Sequence, residues 1–254
     1  MEKPTLFISH IGEEAKLADI LKSQFLSDFL GMIDVFVSSD NTSITVGNKW
    51  LNDIDAALKT AQIELVLCSE ESVKRPWINF EAGAGWVKGI PVVPVCHTGM
   101  RPVSLPIPLN MLQAIEANDE NGLRKVYTLL AKALGSATPN VNFSQIVSEV
   151  KGFEQDYGVI RIVRSAVQPL IQLLPDLEQI FRPSPINKEA QGRIPDTMLN
   201  EMRPHLDLLK SKNLIDYNAG SYRFFIGENS GGGMIELTLK IHDSYYQIAH
   251  KVMK

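Results

Sequence analysis

Apolar and polar positions alternate in blocks along the first half of the chain. Thr5–Ser9 (TLFIS) is a short apolar run of strand type that ends on the polar cluster His10–Glu14. Leu17, Ile20, Leu21, Phe25 and Leu26 then recur at helical spacing over Ala15–Leu30. Ile33–Val37 (IDVFV) is rich in β-branched residues and predicts a second strand. A polar stretch, SSDNTSITVGNKW, follows with Gly47 as its hinge, and Leu51, Ile54 and Leu58 share one face of a helix over Trp50–Ala61. Ile63–Cys68 (IELVLC) predicts a third strand, continuous enough to be buried on both faces. Ile90–Cys96 (IPVVPVC) predicts a fourth, and Leu123–Leu134 a closing helix. Between them, Leu105–Asn121 reads as a loop, proline-rich at its start.

Strand and helix in alternation, with near-continuous apolar strands, imply a parallel sheet covered by helices on both faces. Right-handed crossovers place the C-terminal end of every strand along one edge, where such sheets bind ligands. His10, Ser38–Asp40, Ser69–Glu71 and His97 all follow strands directly and share that rim.

The second half has a different pattern. Phe143–Tyr157 and Val159–Leu174 read as helical, with Pro169 as a kink. Residues 182–196 read as a polar linker or extended loop, and Met198–Lys212 as a helix bent near Pro204. Asn213–Gly220 reads as a turn region. Ser221–Ile226 and Met234–Ile241 bracket GENSGGG as a hairpin with a long flexible tip, and Tyr245–Met253 closes the chain as a helix.

An apolar fraction of 44%, a charged fraction of 21% and a net charge of −4 describe an ordinary globular protein with no basic field for nucleic acid or an anionic membrane. Cys68 and Cys96 sit inside apolar runs without metal-ligand spacing, and the five histidines are scattered, so neither a disulfide framework nor a metal site is expected. The N-terminus carries no signal pattern and no apolar run reaches the roughly 18 residues of a membrane span, which points to the cytoplasm.

The chemistry concentrates in Ser72–Gly89, SVKRPWINFEAGAGWVKG. A helix opening near Trp77 carries Trp77, Phe80, Glu81 and Trp86, and Gly83 and Gly85 leave room for close approach. Glu81 is the only acidic side chain between Trp77 and Gly89. A carboxylate set among aromatic and small residues is partly desolvated, which strengthens its field on a developing positive charge. Spacing alone also allows a solvated glutamate on an amphipathic helix. Trp86, five positions after Glu81, reads as core.

LFISH (6–10), the loop 38–50, ELVLCSEES (64–72) and PWINFEAGAGW (76–86) together resemble a TIR domain, in particular the bacterial TIR domains that cleave NAD. The resemblance covers about half of the chain and implies a flavodoxin-like α/β fold over residues 1–138. Its WxxxE arrangement, Trp77 to Glu81, would make Glu81 the catalytic glutamate. It implies NAD+ glycohydrolase or cyclase chemistry, with NAD+ as substrate and no separate cofactor. It further implies homo-oligomer assembly through TIR domains and a role in antiphage defence. Phe7, Ser9 and His10 would meet the substrate, Trp50 and Trp77 would wall the pocket, and Asp40 and Gly47 would belong to the loop that gates it. Four of these also have a plainer reading: Phe7 as core, Trp50 as helix packing, His10 as a strand-end cap and Asp40 as a turn residue.

Two other functions compete with this one. A non-enzymatic TIR scaffold would recruit a partner without turnover, and a nucleoside deoxyribosyltransferase-like enzyme would also use a glutamate, though SHIGEE is a poor match to that family's Asp-rich loop. Residues 139–254 resemble no family. They predict a mostly helical, winged-helix-like regulatory or oligomerisation domain meeting a protein or nucleotide, with nucleic acid disfavoured by the neutral charge balance.

Overall fold

The computed structural model describes residues 3–40, 56–220, 223–226 and 231–252. The chain divides into two compact units, Met1–Gln155 and Asp156–Lys254.

The first unit is built on a parallel five-stranded sheet in the order β2-β1-β3-β4-β5. Its strands are β1 (Thr5–Ile11), β2 (Asp34–Asp40), β3 (Ala61–Cys68), β4 (Val92–Cys96) and β5 (Ile115–Glu116). The two-residue β5 lies inside the stretch that reads as loop; it is too short to show a period. Helix α1 (Ala15–Asp28) follows β1, residues 56–60 form a helical segment (α2), and α3 (Pro76–Lys88) joins β3 to β4. Helix α4 (Glu120–Leu134) follows β5. Leu17, Leu21 and Phe25 of α1 are buried, and Phe25 and Phe29 both pack on Tyr127 of α4 at ring distances of 5.2 and 5.6 Å.

Helix α3 owes its limits to two residues. Pro76 occupies the first turn, where its missing N–H costs nothing, and Gly89 ends the helix at φ 76°, a left-handed conformation that glycine adopts without strain. One residue earlier, the Lys88 ammonium donates to the carbonyls of Leu58, Lys59 and Ala61 at 2.8, 2.6 and 2.5 Å, using all three of its protons to close the end of α2. Lys88→Met is therefore expected to lower the free energy of unfolding by about 1 kcal/mol, read as a reduced urea midpoint at unchanged slope.

Helix α5 (Phe143–Leu173) supplies residues to both units. In the first, Phe143 packs edge-on against Tyr127, and Glu154 accepts from Thr98 N and Asn118 Nδ2 at 2.7 and 2.8 Å. The sequence reads as two helices here; the structure has one, because neither Gly158 nor Pro169 stops it.

In the second unit a four-stranded antiparallel sheet has β9 at its centre, paired with β6, β7 and β8. Its strands are β6 (Glu189–Pro195), β7 (Ile215–Ala219), β8 (Arg223–Ile226) and β9 (Gly231–Ile241). β8 and β9 are the expected hairpin pair; of its tip, residues 227–230 lie outside the described residues. β6 and β7 correct the sequence reading, which made them a linker and a turn. β6 is largely exposed and its polar residues hide its period, whereas β7 alternates apolar and polar residues over only five positions; both take their hydrogen bonds from distant β9. Helices α6 (Glu178–Phe181), α7 (Asp196–Ser211) and α8 (Asp243–Val252) complete the unit. Leu199, Met202, Leu206 and Leu209 of α7 pack in one core with Val163, Val167 and Leu170 of α5 and Tyr245 of α8. The Tyr245 and Tyr246 hydroxyls donate to the carbonyls of Phe181 and Ile180, each at 2.8 Å.

Candidate active site

The β1–β2 register sets Ser9 beside Ser38 and Phe7 beside Phe36. Because strand side chains alternate, all four face the same side of the sheet, the side that α3 covers. Phe7 and Phe36 stack at 5.5 Å, and the two serines form the next row toward the C-terminal rim. Glu81 of α3 comes down on that serine row and is wholly buried. The Ser9 hydroxyl donates to its Oε2 at 2.5 Å, and the Ser38 hydroxyl to its Oε1 at 2.8 Å. Trp77, one helical turn earlier, donates its indole Nε1–H to the same Oε1 at 2.8 Å. Hydrogen bonds to an ionised acceptor are about twice as strong as neutral ones, and this trio fixes the carboxylate in position and rotamer. The product is an oriented buried negative charge, suited to stabilising a cation that forms beside it.

A second carboxyl lies one row deeper. Glu64 of β3 pairs in register with Phe7 and with Val92 of β4, and it too is wholly buried. Among the described residues, neither of its oxygens has a hydrogen-bond partner. Burial, helped by the Glu81 charge, pushes its pKa up to about 9, so it is a neutral acid at physiological pH. The folded chain therefore holds this proton more tightly than the unfolded chain. The resulting stability is complete below about pH 4.5 and is lost as pH rises toward about 9. Glu64→Gln should flatten that fall, raising the melting temperature at pH 8 and leaving a smaller difference at pH 4.5. Equal shifts at both pH values would contradict it.

A separate buried network braces the rim. Glu14 Oε1 accepts from the Ser69 hydroxyl at 2.6 Å and lies 3.0 Å from His97 Nε2, while its Oε2 accepts from Ile11 N at 3.2 Å. Ser72 donates to the Leu67 carbonyl and accepts from Ser69 N. The ends of β1, β3 and β4 are tied together by these bonds.

Of the residues singled out from the sequence, Ser9 and Trp77 directly contact Glu81. Phe7 lies in the row beneath, packed with Ala57, Leu58 and Trp77. His10 points to the opposite face of β1; burial lowers its pKa, and its Nδ1 has no partner. Asp40 ends β2. Gly47 and Trp50 lie outside the described residues. Trp86 corrects its reading as core. It is 68% exposed, on the outer side of α3, and lines an apolar cleft of about 190 Å³ with Met111 and Leu112. Sequence reasoning passed over Ser38 as a partner of Glu81, and over Glu64 altogether. Register with Ser9 marks the first, and a carboxyl inside a buried apolar run marks the second.

Residues 6–127 match the family model described as TIR domain. This stretch is a TIR domain. Among solved structures, the TIR domain of a Toll-related receptor from Hydra magnipapillata is similar at 17% identity and a TM-score of 0.38, over 52% of this chain and 98% of that one. No curated protein matches the chain. Among the described residues, no helix is long and apolar enough to cross a membrane.

Proposed function

We propose that the TIR domain is an NAD+ glycohydrolase that cleaves the nicotinamide–ribose bond. The observation that carries this reading is the carboxylate of Glu81, buried and held by Ser9, Ser38 and Trp77. Nicotinamide leaves a cationic N-glycoside as a neutral molecule, so its departure needs no general acid. The ribose left behind develops oxocarbenium character, and one fixed carboxylate beside it lowers that barrier. Glycoside hydrolysis needs two carboxyls because its leaving oxygen must be protonated. Water, or a hydroxyl or ring nitrogen of the substrate itself, then captures the cation, giving ADP-ribose or a cyclic product.

Assembly through TIR domains is part of the proposal, with residues 139–254 as the regulatory piece and antiphage defence as the setting. The test is NAD+ consumption by the purified full chain across a concentration series. Loss that rises more steeply than linearly with protein supports an assembled enzyme. No turnover at any concentration, even with extract from phage-infected cells, would leave the scaffold reading in its place.

A further inference from the structure

Glu64 has no packing reason to be a carboxyl. Its neighbours on β3 are Ile63 and Leu65, and Leu or Met would fill its volume without leaving two polar atoms unpaired in the interior. Its position relative to α3 is specific. Glu81 meets the sheet at the Ser9 row, and Gly85, one helical turn on, lies against Glu64. A Cβ at Gly85 would come 1.9 Å from Glu64 Oε2 and 2.9 Å from Val92 Cγ2, so no residue but glycine leaves room for the carboxyl.

The elements around Glu64 present few charges to it. β1 and β4 offer Phe7 and Val92 from the paired positions. His10 lies on the other face of β1. In the 56–60 segment Lys59 is exposed, and Lys88 at the end of α3 is occupied by three carbonyls. Among the described residues, the charge that acts on Glu64 is that of Glu81.

We propose that Glu64 and Glu81 form a dyad that shares one proton, in which Glu64 is a positioning residue that carries the proton so that Glu81 carries the charge. Two carboxyls in electrostatic contact away from water cannot both ionise. The division between them follows from their surroundings: among the described residues, Ser9, Ser38 and Trp77 donate to Glu81 and nothing donates to Glu64. With Glu64 neutral, the site holds a single negative charge, seated on its serines. Ionising Glu64 adds a like charge one turn away and pushes Glu81 off that seat. For its activity readout only, the inference rests on the NAD-cleaving function proposed above.

The test has two arms on the full chain. In the first, side-chain carboxyls of 13C-labelled glutamate are titrated by NMR in the wild type, in Glu64→Gln and in Glu81→Gln. A resonance that titrates near pH 9 is expected, absent from Glu64→Gln and moved down by about one pH unit in Glu81→Gln. A Glu64 that titrates in the ordinary carboxyl range, or one unmoved by Glu81→Gln, would overturn the dyad. In the second arm, NAD+ turnover is followed against pH. The wild type is expected to fall about tenfold between pH 8 and pH 10, and Glu64→Gln to lose that fall. An alkaline fall that survives Glu64→Gln would also overturn the proposal. Absence of turnover would count against the NADase reading alone, because the NMR arm still decides the dyad.

Discussion

Glu81→Gln is expected to lower NAD+ turnover by about 10³-fold while leaving the domain folded, since removing one preorganised electrostatic stabiliser costs about 10²–10³ or more. Glutamine has the shape of glutamate, and its amide oxygen can still accept from Trp77 Nε1. Ser38 can keep donating to that same oxygen, and the Ser9 hydroxyl on the other side can rotate to accept from the amide N–H₂, so the cradle survives and only the charge is lost. Burying an amide in place of a carboxylate also costs less desolvation, so the melting temperature should not drop. Turnover within tenfold of the wild type in a folded protein would end the case for Glu81 as the stabilising charge. Ser9→Ala with Ser38→Ala probes the same site from the other side: two donors are removed, so the carboxylate is less firmly held and more readily protonated, and a loss smaller than that of Glu81→Gln is expected.

Gly85→Ala is expected to destabilise the domain. In a helix interior, alanine normally gains about 1 kcal/mol over glycine. Here its Cβ would overlap Glu64 Oε2 and press on Val92 Cγ2, and overpacking of this kind costs about 1–3 kcal/mol. The net effect should be destabilising, with NAD+ turnover falling as Glu64 is displaced. Adding Glu64→Ala removes the closest colliding atom and should restore part of the stability, so the pair should show strong coupling in a double-mutant cycle by urea denaturation. Simple additivity would mean that the methyl group finds room elsewhere and that the glycine does not serve Glu64.

Much of the first unit can be read in the sequence because its strands are continuous apolar runs and α4 carries a clear 3.6-residue period, whereas α3 has apolar residues on its exposed side as well. Glu81 could be found for a similar reason: an acid isolated among Trp77, Phe80 and small residues conflicts with its surroundings. Glu64 is the same kind of conflict, an acid inside IELVLC, but a run apolar enough to predict a buried strand conceals it. Ser38 could not be chosen over Ser39 without the β1–β2 register, a long-range property that local pattern does not contain. Trp86 was misread because a large aromatic is taken for core unless the buried face of its helix is known, and Glu81 and Gly85 define that face. In the second unit, the polar sequence of β6 gives little sign of its pairing with β9, whereas the alternation of Ile215, Tyr217 and Ala219 with Asp216 and Asn218 marks β7 as a short strand that the turn reading missed.

The serine contacts of Glu81 reach back 72 residues to Ser9 and 43 to Ser38. A centre gathered over such separations cannot exist in any segment shorter than the span from β1 to α3. Bringing its parts together also costs the entropy of closing the loops between them. A ribosome-bound or proteolysed chain that lacks any one of these three elements is therefore inert. For a protein proposed to consume a metabolite its own cell depends on, the topology of the sheet provides a safeguard during synthesis that needs no inhibitor.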